Sequence, residues 1–433
     1  MRLGPAFTRL WAASIASNVA DGVGRTAVPL IATTLTRDPL LISAVTAIAF
    51  VPWLVFGLPA GMLIDRVDRR VAMAGANGLR VLMALVVALA ITTGTLTIWL
   101  LYGCILVWGI GETVFDTATN AVLPATVTDS RAGDNRLEKA NGRIQGAQLV
   151  VDTFIGTPIA GVLFAAAIAL PVWSTAGGFA VSAALVLLLP VSVARAAGSP
   201  VVGQDRGAAR LLHDARESLS FLAHHRLLRG LLVLTTVSGG MLAFGQASEF
   251  LFFLDTMAVQ PALLGFVMAA IGAGALTGAL TASHLVARWG RGRVMLGATL
   301  LAGVTLAVVG LSPNLPFAIA AYAVSALCIS VWNVPWSTLR QQLIPAVMLG
   351  RTIGFMRSVT WGAIPVATIA GGFAARVDLR LPFMIGGSGV VIAVLIASRL
   401  LLSIDAANVD SVEQSSGEVS PRRMGRATAR RAR

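Results

Sequence analysis

The chain has 433 residues, of which 56% are hydrophobic and only 12% charged. Soluble domains run at about 45–50% apolar and about 25% charged, so with a mean hydropathy of +0.80 a water-soluble enzyme is excluded. The 33 basic residues, against 20 acidic ones, leave a net charge of +13; on a soluble chain that would suggest a nucleic-acid partner, but here the question is where the arginines sit relative to a bilayer.

A spanning helix needs roughly 20 apolar residues, and a span with its loop takes about 35, so the length fits about twelve. Spans are expected at 9–32, 40–63, 72–94, 97–120, 143–166, 172–193, 230–253, 263–286, 294–312, 316–339, 353–375 and 382–404. The first follows Arg2 and Arg9 but outruns a signal-peptide core and carries Asp21 and Arg25, so it reads as a retained span. Asp21 falls about 18 Å along it at 1.5 Å per residue, near the midplane. Arg25 is one turn further on the same face, which allows an Asp21–Arg25 pair within the helix. Span three carries Arg80. Span four carries Glu112 and Asp116 on one face, with Arg80 the nearest candidate to neutralise one of them.

Asp152 lies mid-way along span five, and Glu249 in span seven is expected toward the outer face, where water solvates it. Each of these five carboxylates costs roughly 3 kcal/mol or more at the membrane centre, so each needs a partner, a water-filled cavity or a proton. Asp21, Arg25, Arg80, Glu112 and Asp152 are the candidates for binding substrate or a proton. Trp108 in span four, Gln246 in span seven, and Trp332, Asn333 and Trp336 in span ten are candidates to wall an amphiphile-binding cavity; mid-span tryptophans also pack bundles. Trp99 reads as an interface anchor.

The one long connection, 194–229, ends in a stretch from Arg210 to Arg229 with Leu211, Leu212, Ala215, Leu219, Leu222 and Ala223 on one face. It reads as an amphipathic helix at the membrane surface, or as a solvated linker helix. Residues 405–433 are polar and arginine-rich and are expected to be disordered. Cys104 and Cys328 lie in apolar runs and read as small core residues. The single lysine, Lys139, stands in no Walker A loop, so an ATP-driven mechanism is not indicated. The four histidines form no H-E-x-x-H pattern and no G-x-S-x-G occurs, so neither a metal, another cofactor nor an enzymatic site is expected.

With the N-terminus in the cytoplasm, 28 of the 33 basic residues fall on the inner side; Arg25 and Arg80 lie within spans, and only Arg37, Arg376 and Arg380 fall outside. An even number of spans with both termini cytoplasmic follows. The chain also repeats. Cys104 and Trp108 recur as Cys328 and Trp332, Leu123-Pro124 as Ile344-Pro345, and the turn before Val71 as the turn before Val294. The matches keep order and near-constant spacing. They predict an all-α membrane protein of twelve transmembrane helices in two parallel pseudo-symmetric halves, 1–193 and 230–404, joined by 194–229 and followed by a basic tail at 405–433, with a central site between the halves.

Between spans two and three stand Gly61, Asp65, Arg66, Asp68, Arg69 and Arg70. They resemble the Gly-x-x-x-Asp-Arg-x-Gly-Arg-Arg signature of the major facilitator superfamily, with Asp68 in place of the second glycine. More narrowly, Gly111-Glu112-Thr113 with Asp116, Asn120-Ala121 with Leu123-Pro124, Leu137-Glu138 with Ala140-Asn141-Gly142, and Ser220-Phe221-Leu222 with His224-His225-Arg226 resemble the branch containing macrolide-efflux proteins and the enterobactin exporter. The resemblance implies an inner gate: Asp65 accepting hydrogen bonds from the start of span eleven, and Arg66 or Arg70 reaching Asp116. Those arginines also serve as topogenic charge. The antiporter glycine motif on span five survives as Gly146, Gly156, Pro158 and Gly161, interrupted by Thr157; such small residues also serve close helix packing.

The combined reading is a secondary active transporter of the bacterial plasma membrane, a proton-coupled exporter of a small amphiphile of multidrug, macrolide-like or siderophore-like character. It would work as a monomer in the lipid bilayer by alternating access, with protons as the coupling ion and no nucleic-acid partner. An uptake symporter of the same fold is the alternative, and a non-transporting sensor or enzyme a remote one.

Overall fold

The computed structural model describes residues 4–127, 151–191, 219–345 and 348–405, with 140, 143–144, 147–148 and 216–217. Among the described residues all regular structure is helical. We number the helices α1 (Pro5–Leu35), α2 (Pro39–Arg66), α3 (Arg69–Thr92), α4 (Ile98–Val127), α5 (Thr157–Ala166), α6 (Leu170–Leu187), α7 (Arg226–Gln246), α8 (Pro261–Trp289), α9 (Arg291–Gly310), α10 (Leu315–Leu343), α11 (Leu349–Ala375) and α12 (Leu381–Ile396).

Local chemistry sets the ends. Asp68 caps α3 by accepting from the Arg70 amide at 2.9 Å, and Asn314 caps α10 by accepting from Phe317 at 3.1 Å. Pro39, Pro158, Pro171, Pro261, Pro316 and Pro382 stand in first turns, where no intrahelical N–H is lost. The α8–α9 turn needs Gly290, at φ 82°, and Asp405 closes it by accepting from the amides of Gly292 at 2.9 Å and Arg293 at 3.1 Å.

Nine described helices are long and apolar enough to cross a membrane, and α12 with its continuation Ser398–Asp405, bent by 54°, makes a tenth. The remaining two differ for physical reasons. In α1 Asn18, Asp21 and Arg25 dilute the apolar character. The span expected at 143–166 resolves into a π-helical turn, Val151–Gly156, and the ten-residue α5. The span expected at 230–253 is also interrupted: α7 stops at Gln246 and the chain resumes through Glu249–Leu251 and a second π turn, Phe252–Thr256. The first part of the expected amphipathic helix and the basic tail lie outside the described residues. Within the described end of that stretch Leu222 is buried beside Leu228 and Leu231, and Leu219 is exposed.

Packing repeats with a shift of six helices. The pairs α2–α4, α3–α4, α3–α6, α1–α6 and α1–α5 recur as α8–α10, α9–α10, α9–α12, α7–α12 and α7–α11. Two further contacts, α2–α11 and α5–α8, join the two sets and exchange with each other under the same shift.

The core is fused at one end and divided at the other. At the end holding the α1–α2 turn, here the Arg37 end, one apolar cluster runs from Leu30, Val45 and Leu101 through to Phe253, Leu264, Tyr322 and Phe383. At the opposite, Arg69 end there are separate clusters, one around Phe7, Met73, Phe115 and Val186, the other around Leu231, Met295, Trp336 and Leu401.

Candidate functional site

Where the core divides, a cavity of about 680 Å³ opens between α1, α2 and α4 on one side and α7 and α11 on the other. Its walls carry Asp21, Arg25, Glu112, Asp116, Glu249 and Arg357 among aromatic and small apolar residues. Charge in a bundle interior needs neutralisation, and the structure pairs two of these carboxylates, Asp21 and Glu112, with arginines on other helices.

Asp21 on α1 is salt-bridged to Arg80 on α3, whose side chain is 0% exposed. Arg80 also donates to Ser17 at 3.0 Å and Asn77 at 3.1 Å, and its guanidinium lies 3.8 Å from the centroid of the Phe179 ring. Asn77 donates onward to Ser182, and Ser182 to the Ala13 carbonyl, both at 2.8 Å. Gly111 makes room for Arg80: a Cβ there would stand 2.7 Å from the Arg80 Cγ. Arg25 turns away from Asp21 and bonds Glu112 on α4 at 3.1 Å. The expected Asp21–Arg25 pair is therefore replaced by two interhelical pairs, Asp21–Arg80 in the buried interior and Arg25–Glu112 with the arginine half exposed. Arg80 likewise serves Asp21 instead of Glu112 or Asp116.

Asp116 lines the cavity and does not meet Arg70, which donates instead to the carbonyls of Leu187 and Leu189 at the end of α6, at 3.4 and 3.5 Å. Glu249 faces the cavity at the α7 break and accepts from Tyr322 at 2.8 Å, so it is not simply bathed by outside water. The side chains of Asp65, Arg66 and Asp152 lie outside the described residues.

Trp108 and Gln246 line the cavity. Trp332 and Trp336 do not: both are buried in the Arg69-end core of α7, α9 and α12, and Asn333 points away, exposed. The aromatic wall is built instead by Phe50 and Trp53 on α2 and Trp361 on α11, packed edge to face at 5.9 and 5.5 Å. Arg357, counted in the sequence with the inner helix ends, also stands in this wall. Its spacing of four from Trp361 is the signal that could have found it.

The Arg37 end is shut by polar contacts over the fused core. Asp38 pairs with Arg376, which donates from Nε at 2.8 Å, and Arg37 pairs with Asp255 at 3.0 Å. The Arg376 hydrogen bonds hold the Asp38 carboxyl below its ordinary value. A depressed carboxylate contributes its stabilisation above the ordinary value and loses it as pH falls through the lowered one. The distance between spin labels at Thr36 and Val377 should therefore stay constant from pH 8 down to about 5 and lengthen only below about 4. Asp38→Asn should remove that acid dependence; lengthening already at pH 6 would contradict the assignment.

The model of one protein family, described as transmembrane secretion effector, matches residues 3–424. The chain is 23% identical over 403 residues to macrolide efflux protein A of Streptococcus pyogenes, covering 91% of this chain and 95% of that protein. It is 27% identical over 408 residues to the enterobactin exporter EntS of Shigella boydii serotype 4, covering 92% of each. Among solved structures, the nucleoside transporter NupG superposes with a TM-score of 0.74 at 14% identity, covering 91% of this chain and 99% of that one. That likeness is one of fold.

Proposed function

The chain belongs to the transmembrane secretion effector family of the major facilitator superfamily, and from that premise we propose that it is a proton-coupled exporter of small amphiphilic molecules. The observation that carries the reading is the charged cavity between two helix sets, shut at the Arg37 end and flanked by separate cores at the other. The six-helix shift in packing supports twelve helices in two halves, 1–193 and 230–404. Alternating access then consists of rocking one half on the other about the α2–α11 and α5–α8 contacts. With both termini cytoplasmic, as the arginine distribution favours, the Arg37 end is the outer face and the cavity is open inward.

In this mechanism Asp21 and Glu112 hold protons in alternation with their arginine partners. Protonating Asp21 removes the charge that fixes Arg80, and protonating Glu112 weakens its pair with Arg25. Each event biases the equilibrium between the two facings only through its differential effect on them. Asp152 is assigned to the same path on its position in the sequence. Asp65, Arg66, Arg70 and Asp116 are assigned to the inner end, where the halves must meet when the cavity faces out.

Inverted membrane vesicles test this. With an imposed inward-acid gradient, vesicles holding the wild type should accumulate erythromycin, and Asp21→Asn should cut the gradient-driven part by about tenfold or more, the range one coupling residue carries. Undiminished accumulation would sink the role of Asp21. Transport in the opposite sense would make the protein an uptake symporter.

A further inference from the structure

Beyond the buried Asp21–Arg80 pair and the more exposed Arg25–Glu112 pair, the cavity wall holds two carboxylates, Asp116 and Glu249, and one further cation. Arg357 on α11 stands in the cavity wall, exposed to its interior, and no carboxylate among the described residues lies within ion-pairing distance of it. Its guanidinium carbon lies over the Trp361 ring, 3.7 Å from the centroid, and 4.9 Å from the centroid of Trp53, whose ring stands at 77° to that of Trp361. A guanidinium lying on the face of one ring keeps N–H donors available at its edge. None of them meets a protein acceptor among the described residues. A fixed, edge-on fork of donors is the geometry that takes an oxyanion bidentately.

The surroundings add to the positive field. Arg340 at the end of α10 is near enough to act on Arg357. It is stacked on Trp336 at 5.0 Å, and its Nε is buried with no hydrogen-bond partner. The carboxylate that acts on Arg357 is Asp116, on α4 across the cavity. Phe50, Trp53 and Trp361 offer ring surface directly beside the donors. Guanidinium groups without a protein partner among the described residues are costly in a bundle interior unless water or a ligand serves them.

We propose that Arg357, clasped by Trp53 and Trp361, is the docking point for the acidic group of an aromatic or conjugated amphiphile: a carboxylate, phenolate or sulfonate whose ring body lies on the tryptophan wall. That this ligand is also the exported substrate rests on the transporter reading above. The anion takes the place of Asp116 as the charge that Arg357 faces, so Asp116 opposes binding and sets how tightly the ligand is held. One arm of the clasp comes from each helix set, so the docked acid sits on the surface that must move.

The test uses the full chain in nanodiscs of phosphatidylcholine and three probes: dansylglycine, its uncharged amide, and the cationic dansyl-ethylenediamine. Binding is read by energy transfer from tryptophan. Dansylglycine should bind about tenfold or more tightly than the amide, the step expected for hydrogen bonds to a charged group. Arg357→Gln should erase that ratio while leaving the amide's Kd in place, and Arg357→Lys should keep part of it. Asp116→Asn should tighten the carboxylate alone by a few fold, which keeps the test decisive even where the arginine variants fail to fold. Tighter binding of the cation, or equal weakening of all three probes by Arg357→Gln, would overturn the proposal. So would displacement of dansylglycine by phosphatidylglycerol in the disc, which would make the oxyanion a lipid phosphate. Binding as expected without dansylglycine transport in inverted vesicles would count against the exporter reading and leave the site standing.

Discussion

Replacing Arg80 by methionine should lower the unfolding free energy by about 3–5 kcal/mol, because the change leaves Asp21 charged and unpaired in the bundle interior. The pair is enclosed: Arg80 is fully buried, and Asp21 is only 7% exposed at the side chain. The guanidinium also ties α1 to α3 through Ser17 and Asn77 and rests on Phe179 of α6. Thermal unfolding in detergent reads the effect. The double change Asp21→Asn with Arg80→Met should recover most of the loss, since two neutral side chains of similar size carry no stranded charge. If the single and double variants melt alike, the stability comes from packing and not from the pair. The two variants also separate stability from coupling: the double variant should fold and yet show no gradient-driven transport.

The pairing explains how far the sequence could be read. Charge in an apolar run marks a site from sequence alone, so Asp21, Arg25, Arg80, Glu112 and Asp116 stand out, and these five, with Trp108 and Gln246, lie at or beside one cavity. Which carboxylate meets which arginine depends on the rotation of each helix about its axis, and that is set by packing against neighbours far away in the chain. Arg25 was close to Asp21 by spacing but was drawn to Glu112, 87 positions away. Tryptophans are harder still. Trp332 and Trp336 are one turn apart, as a cavity wall would be, but that face of α10 turns into the core. Trp53 and Trp361 looked like ordinary apolar residues, because only the α2–α11 contact gives them a shared purpose. Nine of the spans were legible because about twenty apolar residues identify a span without reference to anything else. The breaks at Val151–Gly156 and after Gln246 were marked only by scattered polar residues, Asp152 and Thr153 in the one and Gln246, Ser248 and Glu249 in the other, which the surrounding apolar stretches outweigh.

Gly372→Leu should abolish closure of the Arg37 end and with it transport, while leaving the fold intact. At that end α11 lies directly on α2: a Cβ on Gly372 would stand 3.0 Å from the Leu40 Cα and 3.1 Å from the Ser43 Cβ, and would also collide with the Ser43 hydroxyl. Part of this contact is backbone, which cannot swing aside as a flexible side chain does. The neighbouring Gly371 is equally tight, 2.7 Å from the Ala247 Cβ on the far side of α11, so the helix cannot retreat from α2. Overpacking of this kind costs about 1–3 kcal/mol. A closed state destabilised by about 3 kcal/mol loses about a hundredfold in population relative to the open one. A protein held open at one face cannot complete a cycle that requires both facings, whichever direction the substrate moves. The spin-label distance between Thr36 and Val377 should lengthen in Gly372→Leu, and erythromycin accumulation in inverted vesicles should fall by about tenfold or more. Gly103→Leu, at a position where a Cβ meets nothing within 4 Å, should change neither. The melting temperature separates a wedge from a broken fold: the open state keeps each half's own core, so Gly372→Leu should melt close to wild type. An unchanged spin-label distance with full transport would mean that the α2–α11 contact does not have to close during the cycle.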